Sequence, residues 1–170
     1  MASGKKTYYY SLGVDVNKNA MKSIAIHAKS IGKSAGVATN APYNDATPGA
    51  FFTNNVSRLN SGELARQVVI ESIADVVIGC DHPEYDTEAQ KLDHPKYDKM
   101  GGKEILDGLR ANATTFDVAS NSGWNTVRDI DSDGTPDPWT FVEDSAGLVQ
   151  YLYTHCIFPE GFTKSKSRCS

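Results

Sequence analysis

Asp45-Ala-Thr-Pro-Gly-Ala-Phe-Phe-Thr-Asn-Asn-Val-Ser-Arg58 is the stretch that decides how this chain folds. Thr47-Pro48 reads as a helix start, because a threonine hydroxyl can accept from first-turn N–H groups and proline suits the first helical position. The spacing predicts a helix from there to about Ser57. On its N-terminal side lies Lys33-Ser-Ala-Gly-Val-Ala-Thr39, short and rich in small residues, which reads as a buried strand. Further back, Met21, Ile24, Ala25, Ala28 and Ile31 recur at helical spacing, with Gly32 as a natural stop. His27 on that helix reads as a surface or packing residue. Beyond Arg58, Asn60 with Glu63 resembles a capping box that opens a helix lined by Leu64, Ala65, Val68, Val69 and Ile73. Val76-Val77-Ile78, closed by Gly79, is the next strand, with Cys80 expected as a buried small hydrophobe.

Periodicity disappears from Asp81 to Gly102. There Asp-His-Pro-Glu-Tyr-Asp (81–86) recurs as Asp-His-Pro-Lys-Tyr-Asp (93–98). Proline after histidine favours extended and turn geometry, and two copies do not make a repeat architecture. His82 and His94 are therefore read as loop residues before they are read as metal ligands. Ile105, Leu106 and Leu109 mark another helix, Thr114–Val118 a strand, and Asp144 the cap of a last helix carrying Leu148, Val149 and Leu152. Helix and strand alternate throughout, so the expected class is α/β: a partial, largely parallel sheet flanked by helices.

Composition narrows the function. The chain has 170 residues, 39% hydrophobic and 22% charged, with a mean hydropathy of −0.41 and a net charge of −4. No apolar run approaches the ~18 residues of a membrane span, and Met1-Ala-Ser-Gly-Lys-Lys lacks the apolar core of a secretory signal. Residues 1–40 hold six lysines against one aspartate, whereas residues 81–145 hold fifteen acids against six bases. The lysines are scattered and their aromatic neighbours form one tyrosine cluster, which is not a nucleic-acid footprint. Cys80, Cys156 and Cys169 make an odd number with no CxxC pair, so neither a disulfide framework nor a zinc ribbon is expected.

The 45–58 stretch closely resembles the alkaline phosphatases, in which a strand leads to an Asp/His-Ala-Thr-Pro motif and a short helix then leads to Ser-Arg. Other segments resemble the same family: Gly4-Lys-Lys-Thr-Tyr8, Leu12-Gly-Val-Asp15, Lys33–Thr39, Val76-Val-Ile-Gly-Cys80, and Asp133-Gly-Thr-Pro-Asp-Pro-Trp-Thr-Phe141. The likeness covers about residues 1–150, a partial domain of the family. Residues 151–170, with the basic run Lys164-Ser-Lys-Ser-Arg168, diverge as a truncated or frame-shifted tail would. The resemblance implies a phosphomonoester hydrolase that works through a phosphoserine intermediate, with zinc and magnesium as cofactors and inorganic phosphate as product. It also implies a periplasmic or secreted full-length enzyme, for which a homodimer is open. The family's nucleophilic serine would lie before Gly4, outside this chain, and its zinc ligands beyond residue 170. The chain by itself is therefore expected to be inactive.

Phosphate-monoester hydrolysis is largely a matter of placing charge. A guanidinium meets two phosphate oxygens with a planar fork, and the resemblance gives that role to Arg58. It implies that the Thr47 hydroxyl ligates magnesium and that Asp45 holds a metal-bound water, which suits an ion that keeps several waters. A second site is read without the family. Asp129-Ile-Asp131-Ser-Asp133-Gly134 matches the opening of an EF-hand-like calcium loop, with Asp137 at the ninth position, but Thr140 stands where a bidentate glutamate belongs. The loop reads equally as a calcium site and as a plain Asp/Gly/Pro turn. A calcium-stabilised α/β binding module without catalysis is accordingly the alternative function.

Overall fold

The structure is a computed structural model that describes residues 1–71, 73–80, 82–86, 88–116, 133–144, 146 and 147. The chain divides into two compact units, Met1–Trp139 and Thr140–Ser170.

In the first unit a short helix α1 (Ile24–Ser30) precedes strand β1 (Gly36–Pro42). Helices α2 (Ala46–Phe52) and α3 (Ser61–Ile70) follow, then strand β2 (Val76–Cys80), a 3₁₀ turn (Tyr97–Met100) and helix α4 (Lys103–Arg110). β1 and β2 pair in parallel, Gly36 against Val76 through Pro42 against Cys80, with an irregularity between Ala38 and Pro42. Two parallel neighbours need a crossover connection, and α2 and α3 supply it. The α/β class and the parallel sheet thus hold; among the described residues the sheet has two strands.

The core forms where the helices cover one sheet face. Ala25, Phe52, Val68, Ile73 and Ala74 are buried together, with Val37, Tyr43 and Val77 packed against them. Leu64 and Ala65 of α3 and Ile105, Leu106 and Leu109 of α4 are buried as their helical spacing predicts. Asp75 fixes the entrance to the sheet: Lys29 Nζ donates to its Oδ1 at 2.5 Å and the Ala35 N–H to its Oδ2 at 2.7 Å.

Several sequence expectations are corrected. α1 starts at Ser23, whose Oγ accepts from the Ile26 N–H, so Met21 lies outside it. Its Ile24 and Ile31 are exposed, Ala25 is buried, and Ile26 packs partly buried against the core. A helix of seven residues is too short to keep a full stripe against one surface. β1 begins three residues later than expected and is half exposed, because only one of its faces is covered. α2 is capped by Asp45, not Thr47, and ends at Phe52, where Thr53 turns extended. Asn60 does precede α3, but its side chain makes no cap; Asn60 Nδ2 donates to Asn55 Oδ1 instead, and Glu63 pairs with Arg66 at 3.7 Å. Cys80 is exposed at the end of β2. Thr114 and Thr115 lie in a bend, not a strand, and Val118 falls outside the described residues. Among the described residues no helix is long and apolar enough to cross a membrane.

In the second unit, Asp144 Oδ1 accepts the Gly147 N–H at 2.6 Å, the cap geometry expected of it. Leu148, Val149 and Leu152 lie outside the described residues.

Candidate functional site

β1 delivers the chain to Asn44, which is buried and polar. Its Nδ2 donates to the Ser61 carbonyl at 2.9 Å and the Lys99 carbonyl at 3.0 Å. One amide thereby ties the β1–α2 corner to the start of α3 and to the 3₁₀ turn. With Asn44 held, the next residue, Asp45, sits at the α2 N-cap with its carboxylate directed away from the helix, since it makes no side-chain cap. Thr47 stands in the first turn, exposed like Asp45.

Arg58 arrives from the other side. After α2 the chain is clamped by Gln67, which is only 1% exposed. The Asn54 N–H donates to Gln67 Oε1 at 2.9 Å, and Gln67 Nε2 donates to the Asn54 carbonyl at 3.0 Å. Asn55 then forms a two-way backbone bridge with Leu12, at 2.9 and 2.8 Å, and the Arg58 N–H donates to the Tyr10 carbonyl at 2.6 Å. Gly13 makes this approach possible. At φ +57°, a Cβ there would stand 2.4 Å from the Thr53 carbonyl oxygen. Asn54, Asn55, Val56, Asn60 and Glu63 line an open recess of about 390 Å³ in the same segment.

The two approaches meet. Arg58 Nη2 donates to Asp45 Oδ1 at 2.8 Å, with the side chains 41% and 47% exposed. The contact uses one guanidinium nitrogen and one carboxylate oxygen. Among the described residues, the other Arg58 N–H groups, Asp45 Oδ2 and the Thr47 hydroxyl make no side-chain hydrogen bond to protein. The site thus presents a held but unsaturated cation beside two oxygen donors. Arg58 lies in a turn six residues past the end of α2, not at the helix end as expected, so backbone pairing with 10–12 positions it.

Asn44, Gln67 and Leu12 were not legible as site residues. Only Gln67 left a trace, as an amide on the otherwise apolar face of Leu64 and Val68. A buried polar group must be hydrogen-bonded, but nothing local names its partner.

The acidic loops behave differently. In the calcium reading, Asp129 and Asp131 lie outside the described residues. Gly134 takes φ +86°, as the bend requires. Asp133 Oδ1 accepts both the N–H and the hydroxyl of Thr135, at 2.7 and 2.5 Å, and these bonds hold its carboxyl below the ordinary range. Asp137 is half-buried. In the 81–98 repeat, His82 Nδ1 accepts the Glu84 N–H at 3.1 Å and its ring meets Tyr85 edge-on at 5.1 Å, while His94 is exposed. Glu84 is gripped by Arg110, Nη2 to Oε2 at 2.8 Å, and accepts from the Tyr97 hydroxyl at 3.2 Å. Arg110 before all else pulls the Glu84 carboxyl down to about 2.

The first part of the chain has recognisable relatives. Residues 1–80 match the family model for alkaline phosphatase. Alkaline phosphatase 4 of Bacillus subtilis (strain 168) is 37% identical over 84 residues, 46% of this chain and 18% of that protein. Alkaline phosphatase 3 of the same organism is 28% identical over 97 residues, 54% of this chain and 21% of that one. The solved structure of a cold-active alkaline phosphatase from the psychrophile Shewanella sp. is 37% identical, with a TM-score of 0.46 over 52% of this chain and 22% of that chain. The chain spans about a fifth of the length of the curated relatives it matches. Asp45, Thr47 and Arg58 all fall inside the matched span, and over residues 1–80 the chain is similar to alkaline phosphatases.

Proposed function

We propose that Asp45, Thr47 and Arg58 form the phosphate- and magnesium-binding wall of a phosphomonoester hydrolase. The observation that carries this reading is the 2.8 Å contact that holds an exposed Arg58 guanidinium beside Asp45. A guanidinium oriented by one carboxylate oxygen keeps donors for two phosphate oxygens, and a charge-assisted fork of that kind is both strong and directional. The donor set fits magnesium. A carboxylate and a hydroxyl two residues apart, both open to solvent, offer few protein oxygens and leave room for the waters this ion retains. Magnesium held there would offset the negative charge of the phosphoryl oxygens. The chain's own contribution is to grip the non-bridging oxygens through Arg58 and to fix the position of Asp45 through the Asn44 amide.

Inorganic phosphate, titrated into the chain with magnesium present and followed by calorimetry, tests the reading. Arg58→Ala should weaken phosphate binding by about tenfold or more, the loss expected for hydrogen bonds to a charged group. The melting transition should barely move, because an exposed ion pair contributes about 0–1 kcal/mol. Unchanged phosphate affinity together with a sharp fall in stability would make Arg58 a structural residue.

A further inference from the structure

Beside Arg58 the molecule exposes aromatic surface that the fold does not use. Tyr9 is 85% exposed and Tyr10 48%, and their rings meet edge to face with centroids 4.4 Å apart. Tyr10 also sits at φ +64°, a left-handed conformation that a bulky side chain rarely adopts. Strain of this kind persists only where surrounding structure imposes it, and it clusters at functional positions. Here the imposing structure is the phosphate wall itself: the Leu12–Asn55 bridge and the 2.6 Å bond from the Arg58 N–H to the Tyr10 carbonyl. Val56 and Leu59, which flank Arg58 in the chain, are exposed too. An apolar, ring-bearing platform and an oriented cation therefore share one backbone hydrogen bond.

A ligand that satisfies both surfaces has a phosphate dianion at one end and a planar aromatic group at the other. We propose that Tyr9 and Tyr10 form a leaving-group subsite that favours phosphomonoesters whose alcohol carries an aromatic ring. This rests on the reading of Arg58 as the phosphate contact. The tyrosines take no part in the chemistry; they add stacking area to one class of substrate. An aromatic contact of this kind corresponds to about threefold to tenfold in affinity.

The experiment compares four ligands on the full chain by calorimetry: inorganic phosphate, methyl phosphate, phenyl phosphate and adenosine 5′-monophosphate. Phenyl phosphate, the nucleotide or both should bind about threefold to tenfold more tightly than methyl phosphate. The tighter of the two shows whether the ring sits directly on the phosphate or a sugar's length away. In the variant Tyr9→Ala the preference should fall toward one with inorganic phosphate unaffected, as expected of a platform that only stacks. Tyr9 is 85% exposed, so this variant should keep its melting temperature. A parent chain with no aromatic preference, or a preference that survives in the variant, overturns the inference while leaving Arg58 intact. Failure of inorganic phosphate to bind overturns both. A change in sedimentation with no change in the ligand ratio assigns the platform to self-association and overturns the subsite.

Discussion

Gly13 is the residue on which the site's geometry depends most directly. It brings the 10–13 segment against Thr53 and Asn54 at a separation no side chain tolerates, and it does so at φ +57°. Gly13→Ala combines a left-handed backbone penalty of about 1–2 kcal/mol with a contact against backbone that cannot step aside. The variant should lose at least ~2 kcal/mol in urea unfolding, and its phosphate affinity should fall, because Arg58 hangs from the same segment. A midpoint within error of the parent would show that the 10–13 and 53–58 segments separate without consequence. At this scale the sequence was most legible where chemistry is local. Asp45 and Arg58 lie within one short motif that the sequence singles out, but their contact with each other was not read there, and Asp45 takes the cap expected of Thr47. Asn44 and Gln67, which hold that motif in place, bond to Ser61, Lys99 and Asn54. Such partners exist only after α3 has packed.

Two loops, far apart in sequence, fold into one design. Val14 bridges Ala20 and Tyr85 bridges Lys91. Within each, the leading aspartate accepts two N–H groups on a single carboxylate oxygen. Asp15 takes those of Asn17 and Asn19, both at 2.8 Å, and Asp86 those of Glu88 and Gln90 at 2.9 and 2.8 Å. The backbone closures match as well, Asp15 N–H to Asn19 and Asp86 N–H to Gln90, each at 2.9 Å. The fourth residue of each loop takes a left-handed φ, +68° at Lys18 and +58° at Ala89. Lys18→Gly and Ala89→Gly should therefore each stabilise by a few tenths to about 1 kcal/mol, the relieved strain exceeding glycine's entropic cost. Asp15→Ala and Asp86→Ala should each lower the melting temperature, because each carboxylate accepts two backbone N–H groups of its turn. Thermal unfolding of the four variants checks this, and a destabilising glycine at either position would refute the shared design. Neither loop was legible, because Lys18 and Ala89 are not turn formers and the aspartate alone has to impose the turn. Elements were readable in proportion to the surface they cover. α3 buries Leu64, Ala65, Val68 and Val69, with Ile73 buried just past its end, and α4 buries Ile105, Leu106 and Leu109, whereas α1, with one buried residue, obeys its capping serine instead.

Over the whole molecule, charge is divided between a basic start and an acidic second half, and one ion pair binds the acidic loop region into the first unit. Glu84 stands inside the 82–98 loops. Arg110 ends α4, and the two are joined at 2.8 Å while Tyr97 of the 3₁₀ turn donates to the same carboxylate. Three separate elements thus converge on one negative charge. Protonating Glu84 removes the charge that Arg110 pairs with and weakens the acceptor for both partners, so folding and proton binding are linked. The carboxyl is depressed in the fold, from an ordinary 4.5 to about 2, with the Arg110 hydrogen bond as the main cause. The sign follows: the stabilisation is complete above about pH 4.5 and is lost as the pH falls toward about 2. Asp15 and Asp133 are depressed as well, by bonds within their own turns, so the parent's acid sensitivity has several sources. The difference between the parent and Glu84→Gln isolates one of them. Melting temperatures taken from pH 7 down to about 2 should differ most at neutral pH and converge at the acid end. Arg110→Ala should give the same convergence, because it removes the charge that depresses Glu84. Parallel curves across the whole range would mean that Glu84 titrates alike in the folded and unfolded chains, and the clamp would then not contribute to the acid stability of the molecule.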